Sequence, residues 1–367
     1  NKYNWIIDAI FGIGLSRDLD NKYKQIIKNL NQYDNIISID IPSGMFVDTD
    51  KSKYYINSKH VITFGYTKLG HYLHPLNSIF NYNIGLKKNK KTSINLIVEK
   101  DIYKIIKNIS IKNNIHKYSK GLVGICAGSN SYPGAAILSS QAAYKTGSGY
   151  VILNIDTNKD LENNIKSQYP NIVVNKFKQM VRFVLFGPGL TFNKKNNEKS
   201  FDFKTLKDYD NIVCDASILS GPIDITINDF PQNSILTPHI GECKNLFNIS
   251  NTLKLSSLKY IQNAIDNRIV ILKSFNTFII TKDMIYIMDK GPSILATAGT
   301  GDVLSGILIS LLSQGYSRLA ASILGTYLHA EAANYYIENI SKDGMTASDL
   351  IDCIPYAFNK LREHNVN

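Results

Sequence analysis

Apolar positions in this chain cluster in short runs broken by polar and glycine-rich stretches. Trp5 to Phe11, Ile36 to Ile41, Val61 to Phe64 and Ser93 to Val98 read as strands, and Lys22 to Leu30 has helical spacing between the first two. Strand, helix, strand at this interval predicts a parallel sheet. Residues 99 to 120 are polar and read as a linker with one short helix, Ile102 to Ile109. The pattern restarts at Gly121. Strand Leu122 to Ala127, helix Gly134 to Thr146 and strand Tyr150 to Ile155 follow in order. Further strands are predicted at Arg182 to Phe186, Asn211 to Asp215, Ile235 to Thr237 and Ile269 to Lys273, with a hairpin of Phe278 to Ile280 and Met284 to Met288 across Lys282-Asp283. Two long helices, near Val303 to Leu312 and Leu319 to Ile337, are expected to close the domain. The layout is α/β and doubly wound, with helices on both faces of the sheet.

Several strands end in residues with chemical potential. In Ala298-Gly299-Thr300-Gly301-Asp302, small residues run directly into an apolar helix. Unpaired N–H groups and the helix dipole make such a start an anion seat, and glycines let a phosphate approach it. Asp302 in that turn can take a proton from a substrate hydroxyl; the structural alternative is a glycine turn with an Asp cap. Lys273, at the end of a strand, suits a ligand phosphate or an ordinary surface. Thr237-Pro238-His239-Ile240-Gly241-Glu242 and Gly187-Pro188-Gly189 close two more strands, and Gly128-Ser129 with Gly134-Ala135-Ala136 follow the first. Open α/β sheets bind ligands at that edge, which favours one shared site over unrelated turns.

The N-terminal part has its own signal. Asp8 ends a strand and leads into Gly12-Ile13-Gly14-Leu15-Ser16-Arg17-Asp18; Asp40-Ile41-Pro42-Ser43-Gly44 ends the next, and Thr63-Phe64-Gly65 with Lys68 comes later. Asp8 and Ser43 offer oxygen ligands for a hard cation, and the glycines suit a phosphate; the equal alternative is two turns at a sheet edge.

Composition adds bounds. The chain has 367 residues, suited to two domains, and its 44% apolar content can fill a core. The longest apolar run falls short of the roughly 18–20 residues that span a bilayer, and no signal peptide is read. The net charge of +11 raises nucleic acid as a partner, but the lysines are scattered apart from Lys87-Lys88-Asn89-Lys90-Lys91, so a solvated surface and a phosphate-rich small ligand are expected instead. Cys126, Cys214, Cys243 and Cys353 form no C-x-x-C pair and read as buried thiols of a cytoplasmic protein. A homo-oligomer stays open. The chain opens at Asn1, directly on a strand, and is expected to be a fragment or trimmed product.

The ordered set His116-Lys117, Ala127-Gly128-Ser129, Pro133 to Ala136, Thr146 to Gly149, Gly187 to Leu190, Asp215-Ala216, Thr237 to Glu242 and Gly299 to Asp302 resembles the ribokinase-like ADP/ATP-dependent NAD(P)H-hydrate dehydratase family. Tyr327-Leu328-His329 and Thr346 to Leu350 resemble its last helices. Ala298 and Ser217 depart from its usual pattern. The resemblance implies a ribokinase-like domain over 116–365 after a linker over 99–115. It implies an (S)-hydrate of NADH or NADPH as substrate, ADP or ATP as cosubstrate, and Mg2+. By the same resemblance Lys273, Ser274, Phe275, Asn276, Thr277, Gly299, Thr300 and Gly301 would meet the nucleotide. Ala135, Gly189, His239 and Asp302 would meet the hydrate, with Asp302 as base. Residues 1–98 resemble part of the NAD(P)H-hydrate epimerase domain, a partial Rossmann-like α/β fold. There Asp8 and Ser43 would help hold K+, and Gly12, Ile13, Gly14, Leu15, Ser16, Arg17, Asp18 and Asp40 would contact the hydrate. That family's Asn-Asn-Gly-Gly-Asp loop is not in this sequence, so the epimerase part is incomplete and its activity is not assigned. The rivals are a vitamin or sugar kinase of the same fold, and a first domain that only docks.

Overall fold

The polar breaks and apolar runs fold into two units. The computed structural model describes residues 4–50, 52–76, 78–87, 92–107, 116–177, 181–191, 206, 207, 209, 211–220, 225–250 and 252–363. Lys88 to Lys91, part of the lysine cluster, and 108–115 of the expected linker lie outside them. One unit comprises Asn1–Ser93 and Ser250–Ile261; the other comprises Ile94–Ile249 and Gln262–Asn367.

The first unit holds β1 (Ile6–Asp8), α1 (Asn21–Leu30), β2 (Ile36–Ile39), β3 (His60–Phe64), α2 (Gly70–Leu73) and β4 (Ile79–Tyr82). The strands pair in chain order and all in parallel. Asp20 caps α1, its side chain accepting from the Tyr23 N–H at 3.0 Å. Ile27 of α1 packs with Leu19, Ile36 and Ile56 as the unit's small core. The register sets Ile7, Ile37 and His60 abreast, Ile62 beside Phe80, and Phe64 beside Tyr82. Ile7, Phe64, Phe80 and Tyr82 on that face are exposed. Residues 250–261 join this unit through a bridge between Thr49 and Lys254.

The second unit begins with β5 (Ile94–Leu96) and α3 (Glu99–Lys107). This corrects the reading of 93–98 as the end of the first domain and of 99–107 as linker. β5 runs parallel to a strand at Ile285–Met288, a pairing made far along the chain and invisible to local spacing. Next come β6 (Leu122–Ser129), α4 (Pro133–Lys145), β7 (Tyr150–Asp156), α5 (Lys159–Gln168), β8 (Val173–Val174), β9 (Phe183–Phe186), β10 (Asn211–Cys214) and β11 (Ser234–Leu236). After these stand α6 (Ile240–Phe247), β12 (Ile269–Lys273), β13 (Thr277–Ile280), β14 (Ile285–Met288), α8 (Thr300–Ser313), α9 (Arg318–Asn339) and α10 (Ala347–Glu363), while α7 (Leu255–Ala264), between α6 and β12 in the chain, has its residues 255–261 in the first unit. Three long helices close the described part of the unit: the two expected from apolar spacing, and α10, which begins where the resemblance placed one of the family's last helices and carries Pro355 inside it.

The described strands of this unit form one sheet in the order β5-β14-β13-β12-β11-β10-β9-β6-β7-β8. Only β13 opposes its neighbours, as the expected hairpin requires. In β9, β10, β11 and β12, residue after residue is buried, the mark of a parallel sheet covered on both faces. α8 is buried almost throughout, so it is apolar all round and not on one stripe. It packs against α4 and α9. No helix among the described residues is long and apolar enough to cross a membrane.

The α4–α8 contact depends on a missing side chain. A Cβ at Gly306 would lie 2.3 Å from the Ser139 carbonyl oxygen and 2.9 Å from the Ala142 Cβ. Ala would add about 1 kcal/mol of helix propensity at an open site. Here the obstacle is backbone, and overpacking costs about 1–3 kcal/mol. Gly306→Ala is expected to lower the denaturant midpoint of the second unit; a midpoint equal to or above wild type would show that the helices separate at no cost.

Candidate active site

Five strands of the large sheet, β6, β9, β10, β11 and β12, run in one direction and end along one edge. β9 continues into Gly187, Pro188 and Gly189. Gly187 has φ 119°, and a Cβ there would lie 1.9 Å from the Asp215 carbonyl oxygen, so only glycine brings the ends of β9 and β10 this close. Ser129 donates its hydroxyl to the Gly189 carbonyl at 2.9 Å, and a Cβ on Gly189 would meet that of Ala135 at 2.8 Å. The edge thus brings Gly189 and Ala135 together. After β11, Pro238 accepts from the Lys273 N–H at 2.8 Å, and His239 forms a bridge with Lys273.

The first turn of α8 closes this edge. Gly299 precedes it at φ 90°, where a Cβ would meet Leu138 Cδ1 at 2.7 Å. Thr300 Oγ1 lies 2.7 Å from the Leu295 carbonyl and 2.8 Å from that of Thr297, which share its proton and fix the loop. His329, buried on α9, is pushed down to about 4 by burial, so it is neutral at pH 7. Its Nε2–H donates to the Thr300 carbonyl at 2.8 Å.

Charged groups gather at this turn. Asp215, 1% exposed, accepts from Lys273 Nζ at 2.8 Å. A Cβ built on Gly301 would sit 3.4 Å from Lys273 Nζ and 3.9 Å from Asp215 Oδ2, so the pair lies against the first turn of α8. The Asp302 carboxyl is pushed up from 3.8 to about 7, by burial first and by the Asp215 charge second, against the pull of Lys273. Such a carboxyl can hold or take a proton near neutrality, which suits a general base. Burial also raises the Glu242 carboxyl, while the His239 N–H and Lys273 lower it.

His239 has a structural duty, the alternative to a substrate contact that its place at a helix start already offered. Its Nδ1 accepts from the Glu242 N–H at 3.1 Å and its own N–H donates to Glu242 Oε2 at 2.9 Å, a reciprocal cap for α6. The imidazole is still 61% exposed at the edge. Phe275, Asn276 and Thr277 line a cavity of about 310 Å³, counted to its open mouth, with Met288, Gly291, Leu295, Leu304, Thr326, His329 and Ala330. Phe275 is 54% exposed there. Asp215, Glu242 and His329 were not among the expected site residues. Their signal was present in outline, as polar groups at the end of an apolar strand or inside apolar helical segments, where a buried partner is required.

In the first unit, Asp8 is 1% exposed. Its Oδ2 accepts from Ser38 Oγ at 2.6 Å and from the Ser43 N–H at 2.8 Å. Ser43 Oγ accepts from the Phe11 N–H at 2.8 Å. Asp8 and Ser43 are therefore adjacent, as expected. Asp40, at φ 68°, meets Lys68 Nζ and accepts from Thr63 Oγ1 at 2.9 Å. Burial would raise its carboxyl, but Lys68 and Thr63 together hold it below the usual range. Gly12, Ile13, Gly14, Ser16, Arg17 and Asp18 are exposed, and Leu15 is partly so, its N–H turning back to the Gly12 carbonyl at 3.3 Å. Among the described residues, no group of three or more His, Cys, Asp or Glu is arranged to hold a metal. All four cysteines are buried and unbridged.

A family model described as NAD(P)H-hydrate dehydratase matches residues 123–356, and one described as YjeF-related protein N-terminus matches residues 1–70. The bifunctional NAD(P)H-hydrate repair enzyme Nnr of Dictyoglomus turgidum is 30% identical over 399 residues, spanning 100% of this chain and 77% of that protein. The ADP-dependent (S)-NAD(P)H-hydrate dehydratase of Staphylococcus aureus is 28% identical over 268 residues, 68% of this chain and 93% of that protein. The crystal structure of the ADP/ATP-dependent NAD(P)H-hydrate dehydratase from Bacillus subtilis, co-crystallised with ATP/Mg2+, superposes with a TM-score of 0.62 at 21% identity over 73% of this chain and 98% of that one, the same ribokinase-like fold. The chain belongs to the NAD(P)H-hydrate dehydratase family, in the two-part arrangement of bifunctional NAD(P)H-hydrate repair enzymes.

Proposed function

We propose that the second unit dehydrates the (S)-hydrate of NADH or NADPH at the expense of ADP or ATP, with phosphates on the first turn of α8 and the hydrate hydroxyl at Asp302. The observation that carries this reading is the Asp302 carboxyl. It titrates near neutrality, and it stands in the turn whose N–H groups would receive the transferring phosphoryl group. In the first step the hydroxyl proton passes to Asp302 as the hydroxyl oxygen attacks the terminal phosphorus, and the shorter nucleotide leaves. In the second, the carbon–oxygen bond breaks with phosphate as leaving group, assisted by the ring nitrogen, and loss of a proton from the neighbouring carbon restores the dihydropyridine. Lys273 and the N–H groups from Gly299 to Gly301 would meet the phosphate charge. Ser274 to Thr277 would hold the nucleoside, with its base in the cavity beside Phe275. Ala135, Gly189 and the open edge of His239 would meet the hydrate. Mg2+ would arrive on the phosphates and spread their charge, as such ions keep to phosphates and few carboxylates.

In the first unit, Asp8 and Ser43 are proposed to take part in holding K+. Their donors are a buried carboxylate and a hydroxyl, beside the Phe11 carbonyl 3.3 Å from Ser43 Oγ, and oxygen donors of this kind fit a hard cation. Gly12 to Asp18 and Asp40 would face the hydrate, and no epimerase turnover is assigned to the residues present. Four buried, unbridged thiols support a reducing compartment such as the cytoplasm.

Recovery of absorbance at the reduced-nicotinamide band, from purified hydrate with ADP or ATP supplied separately, tests the reading. A kinase would accumulate a stable phosphorylated product with no such recovery. Asp302→Asn is expected to lower turnover by about 10²–10⁴-fold with nucleotide binding retained; near wild-type turnover would remove Asp302 as base. The same substitution is expected to alter stability. An acid with a raised folded pKa is more stable protonated, so its favourable contribution is complete below 3.8 and lost as pH rises through about 7. At about 1.4 kcal/mol per pH unit, the loss is at most on the order of 4 kcal/mol. Asp302→Asn is therefore expected to raise the unfolding midpoint at pH 8 and to change it little at pH 4; the reverse order would contradict a buried, high-affinity proton site. Phe275→Ala is expected to raise the nucleotide KM about three- to tenfold, the worth of one aromatic stack, with kcat within about twofold. An unchanged KM would take the base out of that cavity.

A further inference from the structure

We propose that Asp215 is a positioning residue of the dehydratase reaction: from the end of β10 it holds the Lys273 ammonium against the first turn of α8, so that Lys273 and Asp302 address the same phosphate and hydroxyl. This rests on the dehydratase reading above and assigns the group that arranges its charges.

Asp215 cannot work by touching substrate, since its side chain is 1% exposed. Its main chain is fixed from two sides. Its N–H donates to the Phe186 carbonyl at 3.0 Å, and its own carbonyl oxygen fills the space where Gly187 lacks a Cβ. The next residue, Ala216, is held at φ 51°, a left-handed conformation that costs a non-glycine residue free energy and persists only when the surroundings enforce it. The carboxylate reaches Lys273 across 58 residues of sequence at 2.8 Å, while the Lys273 side chain stays 25% exposed. One side of the ammonium is thus tied to a buried anion, and access for a ligand remains. A partly exposed lysine tied to a buried carboxylate holds a more fixed direction than a lysine with no such partner.

The groups facing this pair come from every element around it. They are Lys273 on β12, Asp302 on α8, Glu242 and His239 at α6, and His329 on α9. Asp302, Glu242 and His329 each feel both Asp215 and Lys273. The Asp215 charge raises the proton affinity of Asp302, and the Lys273 charge lowers it. The pair therefore lies close enough to Asp302 for a change in either partner to be read in the proton affinity of that carboxyl.

The test compares wild type with Asp215→Asn, Lys273→Met and the double variant, each as the full chain. Two readouts are followed against pH: kcat/KM for hydrate with ADP, and ADP affinity by calorimetry without hydrate. In wild type, kcat/KM is expected to rise and ADP affinity to fall as Asp302 ionises. In Asp215→Asn both midpoints are expected to move down by about one pH unit, with kcat reduced about 10- to 100-fold. In Lys273→Met they are expected to move up. Midpoints in Asp215→Asn that stay in place or move up overturn the proposal. Should either single variant fail to fold, the double variant, which lacks both charges, decides: the proposal expects midpoints near wild type with kcat still at least about 10-fold lower, and full wild-type kcat overturns it. The two readings fail separately. Absence of any nucleotide-dependent return of absorbance in wild type removes the dehydratase reading, whereas the ADP-affinity midpoints still decide whether Asp215 sets the charge of Asp302.

Discussion

The second unit turns on how closely the start of α8 approaches the edge of the sheet. Glycine at 299 and 306 lets a largely apolar helix lie against α4, with its first turn at Gly301 beside the Asp215–Lys273 pair. Every other feature of the site depends on this approach. The raised proton affinity of Asp302, the neutral His329 tied to the Thr300 carbonyl and the cavity beside Phe275 all surround that one turn. A wider separation would hydrate Asp302 and return it toward an ordinary carboxylate, which is a poorer proton acceptor at neutrality.

The site is also a place where stability is given up. A carboxyl that prefers its proton up to about pH 7 is a burden on the folded state in neutral solution. The reciprocal cap of His239 and Glu242, the two carbonyls on Thr300 Oγ1 and the buried Asp215–Lys273 pair fix the neighbouring backbone and offset that burden locally. Rigidity around a destabilised acid is what proton transfer requires, because the acceptor must not relax toward water between turnovers.

Much of this was legible in the sequence, and the remainder divides by physical cause. β12 was read with its observed bounds, and the hairpin of β13 and β14 across Lys282-Asp283 is present. The start of α8 was placed three residues late, because Thr300-Gly301-Asp302 carries no apolar periodicity and only the tertiary setting makes it helical. α5 was missed because its sequence is polar and capped by Asn158 instead of marked by a wide apolar stripe. β4 was missed as a short, mostly exposed edge strand, and β5 was attached to the wrong unit because its partner lies far ahead in the chain. Lys273 and Asp302 could be named from motifs, whereas the Asp215 partnership could not, since a contact across 58 residues leaves no local pattern.

The tight contacts at Gly187 and Gly306 also bear on mutational drift. This chain is rich in lysine, asparagine, isoleucine and tyrosine; lysine and asparagine suit an exposed surface, and many of the isoleucines fill the cores. A backbone oxygen 1.9 or 2.3 Å from the place of a Cβ admits none of those side chains, whatever the codon supply. Compositional pressure on the second unit therefore meets a steric limit at the seams beneath α8 and between β9 and β10 that its open surface does not impose.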